Sequence, residues 1–350
     1  MQDKAEHRVF EQAYAPNTAR STQPLRKLVQ YGFLALNVWI GILFYRLVLQ
    51  LEAGLVPTVS RPPGVEGYLP ISSLISLKYW LATRDFPMIH PSGLVLFLVF
   101  IAIAFLLKKG FCSWLCPVGL VSEHLESFKR RFLPHLGTPP PWLDYILRGI
   151  KYLLLVFFIW AIIIGMDTAA LGEFIHSDYN KVADIKMMQF FTEISTTALV
   201  VILVLVLLSI LIPYFWCRYL CPYGALLGFL SVFSPLNVKR KAATCIDCKA
   251  CTQACPALIT VHKMSQVSSD ECHACYKCVD ACPVNDTLDL RVTMANRRVP
   301  GWAYAAVIVG FFVLATLAAQ VFGYWESSVT TAEYLELMPQ LDDLDHTRGL

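Results

Sequence analysis

Twelve of the 350 residues are cysteine, and their spacing carries the chemistry of the chain. Residues 245–256 read C-I-D-C-K-A-C-T-Q-A-C-P, and residues 272–283 read C-H-A-C-Y-K-C-V-D-A-C-P. Each run is C-x2-C-x2-C-x3-C-P. Thiolates spaced by two residues wrap the backbone around one iron–sulfur cube; the fourth points away and the proline ends the loop. In a paired module the fourth cysteine of each run ligates the cube held by the other. The spacing therefore assigns Cys245, Cys248, Cys251 and Cys282 to one [4Fe–4S] cluster. It assigns Cys272, Cys275, Cys278 and Cys255 to a second. Zinc sites also use C-x2-C pairs, but as two pairs, not as two runs of four with terminal prolines. Two cubes this close make a path for electrons.

The other four cysteines form an internal repeat. Residues 111–119 read F-C-S-W-L-C-P-V-G and residues 216–224 read W-C-R-Y-L-C-P-Y-G, a shared aromatic-C-x-x-L-C-P-x-G. Cys112 and Cys116, like Cys217 and Cys221, share one face if the turn is helical. Pro117 and Pro222 suit the first turn of a following helix, and a thiol just before a helix N-terminus tends toward thiolate. Two such pairs supply four soft ligands for an additional iron–sulfur centre or a copper ion, or a dithiol redox pair. The bland alternative is buried cysteine packing at a helix end.

The elements that must position these groups are membrane helices. The chain is 56% hydrophobic and 16% charged, with a mean hydropathy of +0.53, against about 25% charged in soluble domains. A net charge of +3 with scattered basic residues excludes nucleic acid as a partner. Five segments are apolar for about 20 residues: approximately Leu28–Leu49, Pro91–Leu107, Gly149–Asp167, Ile194–Trp216 and Pro300–Trp325. The first is too long for a signal-peptide core and lacks a small-residue cleavage site, so it reads as an uncleaved helix. With the N-terminus inside, 22 of the 29 Lys and Arg fall on cytoplasmic pieces, a positive-inside bias. Lys151 is expected to snorkel to the interface. The outer loop at 69–83 has the spacing of an amphipathic or a packed helix.

The expected fold is a membrane all-α bundle of about five transmembrane helices with an inserted α+β bacterial ferredoxin-like domain. Its divisions are a cytoplasmic segment at 1–27, a four-helix transmembrane region at 28–236 and a two-cluster domain at 237–295. A fifth membrane helix at 300–325 and an acidic extracytoplasmic tail at 326–350 complete it. No histidine lies mid-membrane in a pair that would hold haem; His90 and His176 fall near the outer face. No nucleophile elbow, Walker loop or dinucleotide fingerprint is present.

Two C-x3-C-P motifs after membrane helices, followed by two cysteine runs with terminal prolines, resemble the NapH-type polyferredoxins. The same layout occurs in the C-terminal half of NosR and in CcoG/FixG proteins. The resemblance covers roughly residues 28–290. It implies a subunit of the bacterial cytoplasmic (inner) membrane that takes electrons from quinol. These would pass to a redox partner such as a multihaem cytochrome or a reductase subunit. For NosR-like and CcoG-like proteins it implies copper-enzyme maturation, with the C-x3-C-P cysteines linked to copper in the latter. The chain shows no counterpart of the flavin domain of NosR or the immunoglobulin-like domain of CcoG. It adds a fifth apolar segment and an acidic tail to a NapH layout.

Overall fold

The computed structural model describes residue 17 and residues 21–135, 137 and 139–344. Most of the 1–27 segment and residues 345–350 of the acidic tail lie outside the described residues.

Among the described residues, three helices are long and apolar enough to cross a membrane: Gln23–Glu52, Pro141–Ile163 and Gly301–Val321. Ala183–Thr192 and Thr196–Leu211 meet the same test only as a pair, bent by 80° at a short break. Pro91–Leu107 is apolar but has only 17 residues. The five expected segments are thus all helical, yet two are short. At 1.5 Å per residue they reach about 25 Å, under a hydrocarbon core of about 30 Å. Each stops where a cysteine motif must be turned, Pro91–Leu107 at the left-handed Lys108 (φ 59°) and Thr196–Leu211 just before Pro213 and the left-handed Tyr214 (φ 58°).

The helix expected from Gly149 begins at Pro141 instead. Its first turns carry Asp144, Arg148 and Lys151, which sequence hydropathy penalises. The fold satisfies them: Asp144 pairs with Arg218 at 2.7 Å, Arg148 with Asp270 at 2.6 Å, and Lys151 with Glu271. Lys151 is fully buried and does not snorkel. Charge met by protein removes the need to end the helix.

A three-stranded antiparallel sheet follows the fourth apolar segment. Strands β1 (Leu236–Arg240), β2 (Gln266–Val267) and β3 (Leu288–Val292) lie in the order β2-β1-β3. Val238 pairs with Val267 on one side and Leu290 on the other. Both cysteine runs sit between these strands in sequence, so the sheet closes the module around them.

The described residues fall into two compact units. One comprises those within Met1–Leu34, Ile101–Lys151 and Leu207–Gly310, and contains every cysteine. The other comprises those within Ala35–Phe100, Tyr152–Val206 and Phe311–Leu350. In the second unit the outer-loop helix Pro70–Thr83 is packed along one face. Ile75, Ile89, Ile162, Leu171 and Ile175 form its core, and Ser72, Ser73 and Ser76 are buried too.

The second unit also holds a buried charged knot. Glu66, fully buried, accepts from Arg61 Nη1 at 2.6 Å, Ser92 Oγ at 2.5 Å and the Gly93 amide at 2.9 Å. Arg61 Nε donates to Asp184 at 2.7 Å. His90 Nε2 faces the Asn180 carbonyl at 2.6 Å and so carries the hydrogen, leaving Nδ1 to accept from Arg61. Burial opposes the Glu66 charge, but Arg61 and the hydrogen bonds outweigh it and hold the carboxyl at about 2, against an ordinary 4.5. A lowered folded pKa gives stability that is complete above about pH 4.5 and lost as pH falls toward 2. At 1.36 kcal/mol per unit this amounts to about 3 kcal/mol. Glu66→Gln is expected to lower stability near neutral pH by about 3–5 kcal/mol, since it strands Arg61. Melting curves in detergent should show a gap from wild type that narrows below pH 4.5; a gap independent of pH would refute the assignment.

Candidate functional site

Two hollows in the first unit are bordered by cysteines. Cys245, Cys248, Cys251 and Cys282 border one, with Ile246, Val284 and Leu288. Cys255, Cys272, Cys275 and Cys278 border the other, with Val238, Ile259, Val261 and Val267. Each hollow draws three cysteines from one run and one from the other. They differ in access: Cys248 is exposed, whereas Cys255, Cys272 and Cys275 are buried.

The backbone repeats between the runs. Asp247 and Lys249 flank Cys248 with φ of 51° and 62°; Ala274 and Tyr276 flank Cys275 with φ of 49° and 61°. None is glycine, and left-handed non-glycine residues cost on the order of 1–3 kcal/mol each. The same strain at equivalent positions of both runs reflects one requirement, the tight wrap that turns successive thiols inward. Short helices Ala250–Gln253 and Lys277–Asp280 then deliver Cys251 and Cys278.

The twin motifs are built alike. In each the first cysteine lies in a short helical turn, Gly110–Trp114 or Trp216–Leu220, and the second caps a helix that begins with proline, Pro117–Phe132 or Pro222–Ser231. The Gly224 amide donates to Cys221 Sγ at 3.2 Å, and Ser122 Oγ lies 3.6 Å from Cys217 Sγ. Phe111 and Tyr223, one from each motif, meet edge to face. Ser113 Oγ donates to the His273 carbonyl at 2.6 Å, and Trp114 Nε1 to that of Ala274 at 3.1 Å. The first motif is thereby fastened to the second cysteine run.

The N-terminal end of helix Gln23–Glu52 clamps the same region. Arg26 pairs with Glu123 at 2.5 Å, both buried, and Lys277 reaches Glu123 and Glu126 at 3.2 Å. Gln23 donates to the Cys275 carbonyl at 3.1 Å, and Asn17 to that of Cys282 at 2.9 Å.

Burial raises the thiols as they stand, Cys116 to about 11 and Cys217 and Cys255 to about 12. Thiols held so high are protonated at neutral pH, and metal ligation would displace those protons. The surroundings fit an anionic group. Lys108 and Lys109 are buried, and neither Nζ has a hydrogen-bond partner among the described residues. Burial drives the Lys108 ammonium down. His273 is pushed to about 3, by burial and then by Lys109. Burial also opposes the Glu271 charge, yet Lys109, Lys151 and Arg148 hold its carboxyl well below the usual range. Soft donors, hollows and buried ammonium groups together suit iron–sulfur clusters. No three His, Cys, Asp or Glu side chains converge on a single ion among the described residues. In a cube each thiolate binds a different iron, so its ligands stand further apart.

Residues 89–134 and 194–241, which carry the twin motifs, match the family described as 4Fe-4S binding domain, and residues 237–283 match the 4Fe-4S dicluster domain. The chain is 41% identical over 336 residues to YccM of Escherichia coli (strain K12), whose name proposes an electron-transport role; the match covers 94% of each protein. It is 30% identical to the ferredoxin-type protein NapH of the same organism, over 61% of this chain and 72% of NapH. The chain belongs to the NapH/NosR-type polyferredoxin family. The regulatory protein NosR of Pseudomonas aeruginosa is 27% identical over 49% of this polyferredoxin and 24% of NosR. No solved structure matches.

All twelve cysteines singled out by spacing lie in the first unit of this polyferredoxin. Lys108, Lys109, Glu123 and Glu271 escaped sequence reading, in which the lysines counted only as positive-inside charge. Their position directly before the first twin motif was the available signal. Gly119 and Gly224 are equivalent in sequence but not in space. A Cβ on Gly119 would sit on the Cys112 carbonyl oxygen, whereas at Gly224 the nearest atoms are 3.4–3.5 Å away. Gly119→Ala should lower stability by about 1–3 kcal/mol, while Gly224→Ala should stay within about 1 kcal/mol. Thermal melting of both variants checks this, and equal effects would refute the asymmetry.

Proposed function

We propose that this protein is a membrane-bound electron carrier with two [4Fe–4S] clusters. Cys245, Cys248, Cys251 and Cys282 would hold one, and Cys272, Cys275, Cys278 and Cys255 the other. The observation carrying this reading is that each hollow combines three cysteines of one run with the fourth of the other. The clusters supply one-electron redox chemistry when bound. The protein's part is to ligate, to exclude water and to set the charge around each. The exposed Cys248 suits the first hollow to a donor arriving from solvent, and the buried second hollow lies next in line toward the twin motifs.

The name of YccM, an electron-transport one, supports the same role here. Five membrane crossings in the bacterial inner membrane are part of this reading, with the N-terminus and the 237–295 domain cytoplasmic and the 326–350 tail outside. So are the divisions at 1–27, 28–236 and 300–325. The electrons would run between the quinone pool and a partner reductase or multihaem cytochrome. A cavity of about 620 Å³ in the second unit supports a quinone, since Leu43, Leu47 and Leu51 line it together with Arg61 and Tyr334. Cys112, Cys116, Cys217 and Cys221 would form a further redox or metal site. A NosR-like or CcoG-like role in copper-enzyme maturation is the second reading, favoured by these four half-buried soft thiols.

Anaerobic protein should be brown, contain iron and acid-labile sulfide, and bleach with dithionite. Two interacting cluster signals should appear by low-temperature EPR. Cys251→Ser should remove one and Cys275→Ser the other. Colourless, zinc-loaded protein would sink the proposal. Membranes given quinol should bleach in the same way; bleaching with dithionite but never with quinol would remove the quinone pool alone.

A further inference from the structure

We propose that Tyr334 is the hydrogen-bond donor that seats the carbonyl head of a quinone in the cavity of the second unit, so that the segment after the last membrane helix forms part of a ligand site. This rests on the quinone reading given above and names the residues that hold the head.

A phenol hydroxyl taken from water costs about 1–3 kcal/mol unless it finds a partner. Tyr334 is 4% exposed, and its Oη has no hydrogen-bond partner among the described residues. Its ring packs in an apolar core with Phe44, Leu47 and Leu51, where a phenylalanine would fill the same space. Packing therefore does not account for the hydroxyl. Tyr334 does line the cavity of about 620 Å³. Burial, and then the Asp184 charge, push the phenol above its usual range, so it keeps the proton it would donate.

The chain holds this side chain in place. The Ser328 amide donates to the Met88 carbonyl at 2.8 Å, and Ser327 Oγ to the Ile89 carbonyl at 2.6 Å. Thr330 and Glu333 then cap the helix Thr331–Leu337 reciprocally, which fixes the turn that carries Tyr334. Arg61 lines the same cavity. Three of its N–H groups go to Asp184, Glu66 and His90; a guanidinium has further ones to offer.

The chemistry of the occupant follows from charge and shape. Arg61 is the only Lys or Arg among the described residues that line the cavity, and Glu66 and Asp184 already neutralise it. Glu326 adds a carboxylate to the wall. A fatty acid or a lipid phosphate thus meets no spare positive charge. A phenol and a guanidinium with unspent N–H groups suit a neutral acceptor oxygen instead. Leu43, Leu47 and Leu51 also line the cavity. They recur every fourth residue of a membrane helix and so make one apolar stripe, which suits an isoprenoid tail. A neutral carbonyl head on an apolar tail is a quinone.

The test uses the full chain, purified anaerobically in detergent, with a short-chain naphthoquinone as probe and binding read from quenching of tryptophan fluorescence. Wild type should bind it saturably. Y334F should bind about three- to tenfold more weakly yet melt no lower than wild type, because the hydroxyl it removes has no protein partner. L43W, which fills the cavity from the helix side, should abolish binding. Both variants should keep the iron content of wild type, and dodecanoate should not compete. Equal affinity in wild type and Y334F, or a clearly lower melting temperature for Y334F, would overturn the role of Tyr334. Undiminished binding by L43W, or competition by dodecanoate, would overturn the cavity as a seat for a neutral head. Any of these failures with quinol still bleaching the clusters would leave the quinone pool in place. Wild type that neither binds the probe nor bleaches with quinol would sink the quinone reading as well.

Discussion

A charge buried away from water must meet an opposite charge, and the first unit of this protein is arranged around that constraint. Lys109, Lys151 and Arg148 converge on Glu271, Arg26 and Lys277 on Glu123, and Arg218 on Asp144. These pairs join helix ends to the cysteine runs and loops they surround. Breaking one partner of such a pair costs about 3–5 kcal/mol, so the network fixes geometry as well as charge. It carries more buried cations than the described carboxylates near them neutralise, which is what a site for negative clusters requires.

The same constraint recurs in the second unit with a different outcome. There Arg61 is met by both Glu66 and Asp184, and Ser92 and the Gly93 amide complete the shell around Glu66. That knot is self-sufficient and contains no cysteine. The contrast separates a closed electrostatic scaffold from one that still asks for an anion.

Geometry and chemistry are coupled through backbone strain. Left-handed residues flank the second cysteine of both runs, and another precedes the first twin motif. Each is a non-glycine position whose cost on the order of 1–3 kcal/mol persists only under firm restraint. Here the restraint comes from the three-stranded sheet, from the carbonyl bonds made by Gln23, Ser113 and Trp114, and from Tyr304 and Ser234 at the Lys108 turn. Thiols in strained, braced loops are pre-organised for ligation.

The amino-acid sequence by itself determined the twelve cysteines, their grouping into runs and twin motifs, and five apolar helical segments. These are local properties: ligand spacing is set by a few consecutive residues, and hydropathy by a window of about 20. Membrane-crossing length was less legible, because Asp144, Arg148 and Lys151 appear as breakers until their partners from distant segments are known. The roles of Lys108, Lys109, Glu271 and Glu66 were decided only by tertiary structure. Whether a lysine is a solvated surface charge or a buried, uncompensated one depends on what lies across from it, and those neighbours are far away in the chain.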